Sequence, residues 1–349
     1  MDWFASILFG FQITFQPANA LYCFIGVFIG TLIGVLPGIG PGGTIAILLP
    51  VTFGISPVQA IILLAGIYYG AMYGGSTTSI LVNIPGEAAS IVTCLDGYQM
   101  ARNGRAGPAL GISALGSFIG GTFSIIILMF LVYPLANVAL KFGPPEYFSL
   151  MCLGLTIIIY LVKGSVVKAV AMAFFGLILS TVGIDLVSGI PRFTFGSPVL
   201  LDGIGIVPLA MGFFGISEVL TNIEGPTERI IFKTKVGNLL PNREDWKRST
   251  GPIIRGSLIG FLLGVLPGGG GVIASFVSYS TEKRLSKHPE KFGKGAIEGV
   301  AGPETANNAG AGGAFVPLFA LGIPPNVVLA ILWGAFMIHG VAPGPTLIR

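Results

Sequence analysis

Long apolar runs separated by short polar stretches make up most of the chain and predict helices that cross a membrane. Residues 3–86 contain no Asp, Glu, Lys, Arg or His, and a soluble fold of that composition would expose a large apolar patch. A spanning helix needs about 20 apolar residues. The runs that approach this length are 20–36, 58–73, 110–133, 147–161, 167–187 and 199–220. Their continuity argues against a transmembrane barrel, whose strands alternate over about ten residues. The sequence therefore predicts an all-α polytopic membrane protein.

Two stretches rich in glycine and proline interrupt the apolar runs. The first break is Gly34-Val-Leu-Pro-Gly-Ile-Gly-Pro-Gly-Gly43, and the second break is Gly264-Val-Leu-Pro-Gly-Gly-Gly-Gly271. Proline removes a backbone donor and glycine weakens a helix, so backbone groups are left free at membrane depth. A bilayer tolerates such groups only where protein buries them or where they line a wet cavity. Broken helices at matching positions in two halves of a membrane chain indicate the binding site of a transporter.

The two breaks belong to a predicted two-fold internal repeat. After the shared Gly-Val-Leu-Pro-Gly, Gly74-Gly75 and Ile84-Pro85 match Gly312-Gly313 and Ile323-Pro324 in order and rough spacing. Basic residues flank the second break on both sides and the first break on neither, and cytoplasmic loops carry the excess of Lys and Arg. This pattern predicts re-entrant hairpins that enter from opposite faces, an inverted repeat. The alternative makes residues 20–36 an ordinary span, because that run is near spanning length.

Composition narrows the classes of function. Of 349 residues, 53% are hydrophobic and 10% are charged, against about 25% charged in a soluble domain. The net charge of +4 lies in membrane-flanking loops and does not indicate nucleic-acid binding. Cys23, Cys94 and Cys152 match no metal or disulfide spacing and are interpreted as small core residues. Residues 38–43 formally match G-x-G-x-x-G, but the strand and the acidic residue that a dinucleotide site requires are missing. The sequence shows no pairing of a nucleophile with a base of the kind that would indicate an enzyme.

The same patterns divide the chain into five segments. They are an N-terminal interfacial or first helix (1–19), the first repeat region (20–107), intervening transmembrane helices (108–220), a polar cytoplasmic loop (221–250) and the second repeat region (251–349). The sequence stops just after Pro343-Gly-Pro345. Nothing there closes a domain, so we expect a further C-terminal portion to be missing.

Longer stretches carry a resemblance to a known family. They are residues 34–50, 65–107, 189–196 and 293–325, and they include Ala65-Gly-Ile-Tyr-Tyr-Gly-Ala-Met-Tyr-Gly-Gly-Ser-Thr-Thr-Ser79. These stretches resemble the TctA family, the large membrane subunit of tripartite tricarboxylate transporters. The resemblance implies a secondary transporter in the bacterial inner membrane, working with a small membrane subunit and a periplasmic solute-binding protein. It also implies carboxylate substrates such as citrate, symport with Na⁺, and a longer C-terminus.

Polar groups around the breaks are the candidate substrate ligands. The hydroxyl cluster 76–79 is interpreted as an unwound segment that offers hydroxyls and N–H groups to a carboxylate, or alternatively as small residues packed between helices. No Arg or Lys occurs in residues 3–101 or 295–348, so helix N-termini, hydroxyls and amides must hold the anion. The predicted substrate-binding residues are Gly38, Gly40, Gly43, Thr44, Ser76, Thr77, Thr78, Ser79, Asn83, Gly268, Gly269, Gly270 and Ser275.

Candidate cation ligands lie in the second half of the chain. Asn307 and Asn308 stand among glycines next to Glu304 and Thr305, and burying such groups without partners is costly. We therefore predict that these four residues bind the coupling cation, with Glu304 as a cation ligand or proton carrier. Na⁺ is the expected coupling ion; no other metal and no organic cofactor is predicted.

The remaining titratable residues and a second class of function stay open at this point. Glu87 and Asp96 approach the Arg102 end of an apolar run and are either functional or merely interfacial. His288 lies in a charged stretch and is predicted to be solvated, and His339 is predicted to be structural. A channel or a non-transporting membrane scaffold would share the apolar spans but would not need two matched breaks.

Overall fold

Helices account for almost all of the regular structure. A computed structural model describes residues 3–36, 40–161, 165–185, 189–204, 209, 220, 237–266, 268 and 270–347. The helices are α1 (Trp3–Thr14), α2 (Pro17–Val35), α3 (Gly40–Leu48), α4 (Pro57–Val82), α5 (Ile91–Arg102), α6 (Ala106–Ala139), α7 (Pro144–Leu161), α8 (Val166–Ser180), α9 (Arg243–Val265), α10 (Gly270–Leu285), α11 (Glu298–Gly313), α12 (Phe315–Leu321) and α13 (Val327–Ile338). Two-residue strands, β1 (Gly183–Ile184) and β2 (Pro191–Arg192), pair antiparallel.

Three of the described helices are long and apolar enough to cross a membrane: α2, α4 and α6. They begin within a few residues of the predicted runs 20–36, 58–73 and 110–133. The predicted class, an all-α polytopic membrane protein, is therefore confirmed for the described part of the chain. Phe24 and Phe28 of α2 are more than half exposed, as expected for a helix face that meets lipid.

Some predicted boundaries were wrong. The run 167–187 ends as a helix at Ser180, because the left-handed Gly183 and the short strand pair follow it. The end of the predicted polar loop is helical: Asn242 caps α9 by accepting the Asp245 N–H at 2.8 Å, while its own N–H donates to the Asp245 carboxylate at 3.1 Å. This capping box starts the helix at Arg243. Residues 221–236 and most of the run 199–220 lie outside the described residues.

Two pairs of helices cross with their backbones in contact. Glycines at every fourth position make both crossings: Gly26, Gly30 and Gly34 on α2, and Gly256, Gly260 and Gly264 on α9. A Cβ on Gly30 would lie 2.8 Å from the Ile67 Cα of α4, and a Cβ on Gly260 would lie 2.7 Å from the Ala306 Cα of α11. Only glycine permits this approach, and small residues at this spacing are the usual means of close packing between membrane helices.

Helix α11 lies at the centre of the fold. Every residue from Gly299 to Gly313 is buried, and the helix packs against α4, α5, α6, α9 and α10. Its low content of large apolar side chains is explained by this packing, because neighbouring backbones occupy the space that side chains would fill. The polar groups of α11 therefore face other helices and not water.

Similar turns follow α4 and α12. Asn83 (φ 57°) and Gly322 (φ 74°) end these helices in the left-handed conformation. In each turn the N–H of the following residue donates to a carbonyl six positions earlier in the chain. Ile84 donates to the Thr78 carbonyl (3.4 Å) and Ile323 donates to the Pro317 carbonyl. This is the Schellman arrangement, and a proline follows in both cases.

Candidate functional site

Three polar side chains of α11 form the centre of the candidate site. Glu304, Asn307 and Asn308 are 1%, 1% and 3% exposed. Their spacing of three and four residues places them along one side of the helix. The prediction that these groups are not a solvated loop is confirmed by their burial, while their role as cation ligands stays a prediction.

The Glu304 carboxylate is enclosed by hydroxyl groups from three other helices. Ser76 of α4 and Ser113 of α6 donate to its Oε2 at 2.6 and 3.1 Å, and Thr93 of α5 donates to its Oε1. We call Glu304, Ser76, Thr93 and Ser113 the Glu304 cage. No ion pair among the described residues includes Glu304. A carboxyl group is thus held in the protein interior by hydroxyl donors alone.

Asn308 extends this polar cluster along α6. Its Nδ2 donates to Ser117 Oγ at 2.7 Å and to the Glu304 carbonyl at 3.1 Å. Both Asn308 and Ser117 border a largely apolar cavity of about 790 Å³ between α2, α4 and α6. Thr305, in contrast, donates its hydroxyl to the Ala301 carbonyl of its own helix at 2.7 Å.

Asn307 connects the two halves of the chain. Its Nδ2 donates to the Met72 carbonyl at 3.3 Å and to Glu87 Oε1 at 3.1 Å, which fixes the orientation of the amide. Its Oδ1 is buried and has no hydrogen-bond partner among the described residues. This oxygen lies against Gly271, where a Cβ would collide with it. An unused acceptor therefore points at the start of α10, beside the second break.

The breaks themselves separate α2 from α3 and α9 from α10. Gly38 and Gly269 lie outside the described residues, whereas Gly40, Gly268 and Gly270 adopt positive φ angles of 53°, 74° and 44°. Thr44 and Ser275 donate their hydroxyls to the carbonyls one turn earlier, at Gly40 and Gly271. Gly43 is buried in α3. The helices that follow the breaks thus present their free N–H groups toward the broken segments.

The predicted unwinding of residues 76–79 was wrong, because these residues continue α4 to Val82. Thr78 and Ser79 donate to the Gly75 carbonyl at 3.1 and 3.0 Å, and Thr77 is half-buried. Ser76 alone in this cluster reaches across to Glu304. Asn83 is exposed and caps the helix in the left-handed conformation.

Four residues of the cluster were not predicted as ligands: Glu87, Thr93, Ser113 and Ser117. The sequence carries a signal for Ser113 and Ser117, because they are one helical turn apart in an apolar helix. In the structure, the nearby Gly116 and Gly120 pack against Thr305 of α11. A polar stripe of this kind marks the helix face that packs on protein. Thr93 carries no comparable signal.

Asp96 is fully buried in the protein. Its Oδ1 accepts the N–H groups of Gly293, Gly295 and Ala296 at 2.9, 2.8 and 2.7 Å, and its Oδ2 accepts the Tyr279 hydroxyl at 2.9 Å. Three backbone donors converging on one oxygen anchor the 293–296 loop to α5. We assign Asp96 a structural role.

Ion pairs join α9 to three of its neighbours. Arg248 makes a two-bond pair with Glu298 (2.7 Å for both bonds) and Arg255 makes one with Glu282 (2.8 and 2.5 Å). A third pair joins Arg105 to Asp245. These three pairs link α9 to α11, to α10 and to the start of α6.

The histidines and cysteines lie outside the cluster. His288 is exposed, as predicted, and His339 contacts Thr52 Oγ1 at 2.9 Å through Nε2. Cys23 and Cys94 are half-buried, but Cys152 is exposed, so its interpretation as a core residue was wrong. Within the described residues, no group of three or more His, Cys, Asp or Glu side chains could hold a metal ion.

Comparison with known proteins gives the family. The chain is 56% identical over all of its 349 residues to an uncharacterized 52.8 kDa protein of the TAR-I ttuC′ 3′ region of Agrobacterium vitis, covering 70% of that protein. It is 64% identical over 89 residues, 26% of the chain, to an uncharacterized protein of the TAR-II ttuC′ 3′ region of the same organism, covering 37% of it. No solved structure matches. The model of the tripartite tricarboxylate transporter TctA family matches residues 20–349, and the chain belongs to that family.

Proposed function

We propose that the chain is the membrane permease subunit of a tripartite system that takes up di- or tricarboxylates of the citrate type. It would receive the anion from a periplasmic solute-binding protein, act with a small membrane subunit in the bacterial inner membrane, and couple uptake to Na⁺. Membership of the TctA family supports the system as a whole. The observation that carries the proposal is the buried polar cluster on α11, which a passive apolar scaffold has no need to maintain.

The anion is proposed to bind between the two breaks. A helix N-terminus carries roughly half a positive charge and several free N–H groups, and the starts of α3 and α10 both adjoin broken segments. Such ends bind carboxylates without Arg or Lys. This matches a chain that has neither residue in 3–101 or 295–348.

Na⁺ is proposed to bind beside the anion, with Asn307 Oδ1 as one ligand. This oxygen is buried and unused among the described residues, and Glu87 lies on the other side of the same amide. Carbonyl and carboxylate oxygens suit a hard cation. The co-bound cation would supply the full positive charge that the helix ends lack.

The proposed topology is an inverted repeat of re-entrant hairpins; the alternative is that α2, which is long enough to span, crosses the membrane. The matching glycine crossings of α2 on α4 and of α9 on α11 support it, as do the matching turns after α4 and α12. Single cysteines at Ile47 and Val277, each seven residues after the first glycine of its helix, give a matched pair in a background without native cysteines. An impermeant reagent should label Ile47→Cys from outside and Val277→Cys from inside. Labelling of both from one face would refute the inverted arrangement.

Uptake by reconstituted vesicles tests the function directly. The chain, its small membrane subunit and its solute-binding protein are combined, and labelled citrate, malate, succinate and tricarballylate are offered with and without a Na⁺ gradient. Accumulation above the external concentration supports a coupled transporter. Flux that only equilibrates each substrate would indicate a channel, and no flux of any of them would reject the carboxylate assignment.

A further inference from the structure

We infer that the Glu304 cage is a second cation site, distinct from Asn307, and that it is filled by one monovalent cation, a proton or Na⁺, during the transport cycle. The inference rests on the proposed function, because it assigns part of the coupling to a particular side chain. It concerns the four residues Glu304, Ser76, Thr93 and Ser113.

Burial makes a negative charge on Glu304 costly. Glu304 is 1% exposed, and no described residue pairs with it as a cation. An ionised carboxylate that is buried without a partner charge is strongly disfavoured. Hydroxyl donors offset part of that cost, but they carry no net charge. The stable form of the cage therefore contains one positive charge, either a proton on the carboxyl or a metal cation beside it.

The Glu304 cage offers a set of oxygen atoms as ligands. Each of the three hydroxyl oxygens lies within hydrogen-bond distance of one of the two carboxylate oxygens. Each hydroxyl keeps lone pairs after it donates, so the same five oxygens can turn toward a hard cation. This is an all-oxygen set with one negative charge, which fits a monovalent ion and not a transition metal.

The Glu304 cage lies where the first and last parts of the chain meet. Its ligands come from α4, α5 and α6 in the first part of the chain and from α11 in the last part. The other titratable groups that influence Glu304 or are influenced by it are Glu87, Tyr73 and Cys94, and none of them is a cation. Filling the cage removes a net negative charge from this contact between the two parts of the chain, and emptying it restores that charge.

The charge of the Glu304 cage has a consequence for transport. A neutral cage can be carried through a conformational change inside the membrane, whereas an empty, charged cage resists it. Glu304→Gln imitates the filled state permanently. The variant should still exchange internal for external substrate, but it should lose the part of the gradient-driven accumulation that the cage supplies.

Reconstituted vesicles with both partner proteins test this expectation. Glu304→Gln should lower gradient-driven accumulation by about 10-fold or more, the size of an ordinary coupling free energy, and should lower substrate exchange by a clearly smaller factor. The matched control is Ser257→Ala, since this hydroxyl is also buried but bonds within its own helix, to the Ile253 carbonyl at 2.9 Å. Wild-type accumulation by Glu304→Gln, or an equal fall of accumulation and exchange in a variant with unchanged thermal stability, would overturn the inference.

A measurement without substrate separates this inference from the proposed function. The purified chain is assayed for ²²Na⁺ binding and for the infrared band of a protonated carboxyl group. Loss of one bound Na⁺ in Glu304→Gln identifies Na⁺, and loss of the carboxyl band identifies the proton. If Glu304→Gln changes neither signal, the cage is not a cation site. If the wild type accumulates no carboxylate, the proposed function fails while this measurement still decides the cage.

Discussion

Replacing Gly260 by alanine tests whether the contact between α9 and α11 is as close as described. The added Cβ would lie 2.7 Å from the Ala306 Cα and 2.9 Å from its carbonyl carbon. Ordinary carbon–carbon contacts are about 3.5–4.0 Å, so the helices must separate by about 1 Å. Overpacking of this kind costs about 1–3 kcal/mol. Because α11 carries Glu304, the displacement should also disturb its hydrogen bonds to the other helices.

The assay is thermal unfolding in detergent, together with transport in vesicles. Gly260→Ala should lower the unfolding temperature by about 1–4 °C, judged from the unfolding entropy expected for a chain of this length, and should reduce uptake. Gly176→Ala on α8 is the matched control, because a Cβ there meets nothing within 4 Å. Adding Ala306→Gly should not rescue Gly260→Ala, since the clash is with backbone atoms. A Gly260→Ala protein as stable as the control would refute the reasoning.

Three further predictions concern single residues. Asn307→Ala should raise the Na⁺ concentration for half-maximal uptake by about 10-fold, the worth of one interaction with a charged group, while Asn103→Ala in an exposed loop should leave it unchanged; equal values in both variants would remove Asn307 from the cation site. Asp96→Asn should lower thermal stability by roughly 2–4 kcal/mol, since a neutral amide oxygen accepts the three N–H donors more weakly than a carboxylate does and an amide nitrogen cannot accept from the Tyr279 hydroxyl, and a stability within error of the wild type would contradict the anchoring role. Arg105→Gln should leave substrate affinity within a few-fold at saturating Na⁺, because its ion pair is partly exposed and lies away from the cluster; abolished binding would show that the substrate site is misplaced.

Much of the fold class could be predicted from the sequence, because it depends on local composition. Apolar runs identified α2, α4 and α6, and Pro and Gly identified the breaks. The helical state of residues 76–79 could not be predicted in this way. Helix propensity disfavours Gly-Gly-Ser-Thr-Thr-Ser, yet close packing against other helices outweighs propensity there. Glycines at every fourth residue of α2, matched by Gly66, Gly70 and Gly74 of α4, were the available signal for this packing.

The contacts of the candidate site were mostly beyond prediction from a single sequence. The polar nature of Glu304, Asn307 and Asn308 was visible, and so was their spacing. Their partners were not, because Ser76 and Thr93 are 228 and 211 positions away from Glu304. Nothing local distinguishes Ser76, which reaches the carboxylate, from Ser79, which bonds to its own helix.

The backbone contact between α9 and α11 has a mechanical consequence. Helices separated by side chains can slide by exchanging rotamers, whereas helices that touch through glycine have no flexible layer between them. Each pair, α2 with α4 and α9 with α11, is therefore expected to move as a stiff unit. Any rocking of one unit against the other must then be absorbed where they meet through polar side chains. The hydrogen bonds from Ser76 to Glu304 and from Asn307 to the Met72 carbonyl lie where the two units meet. These polar contacts, and not the long helices, would then be strained during the conformational change of transport.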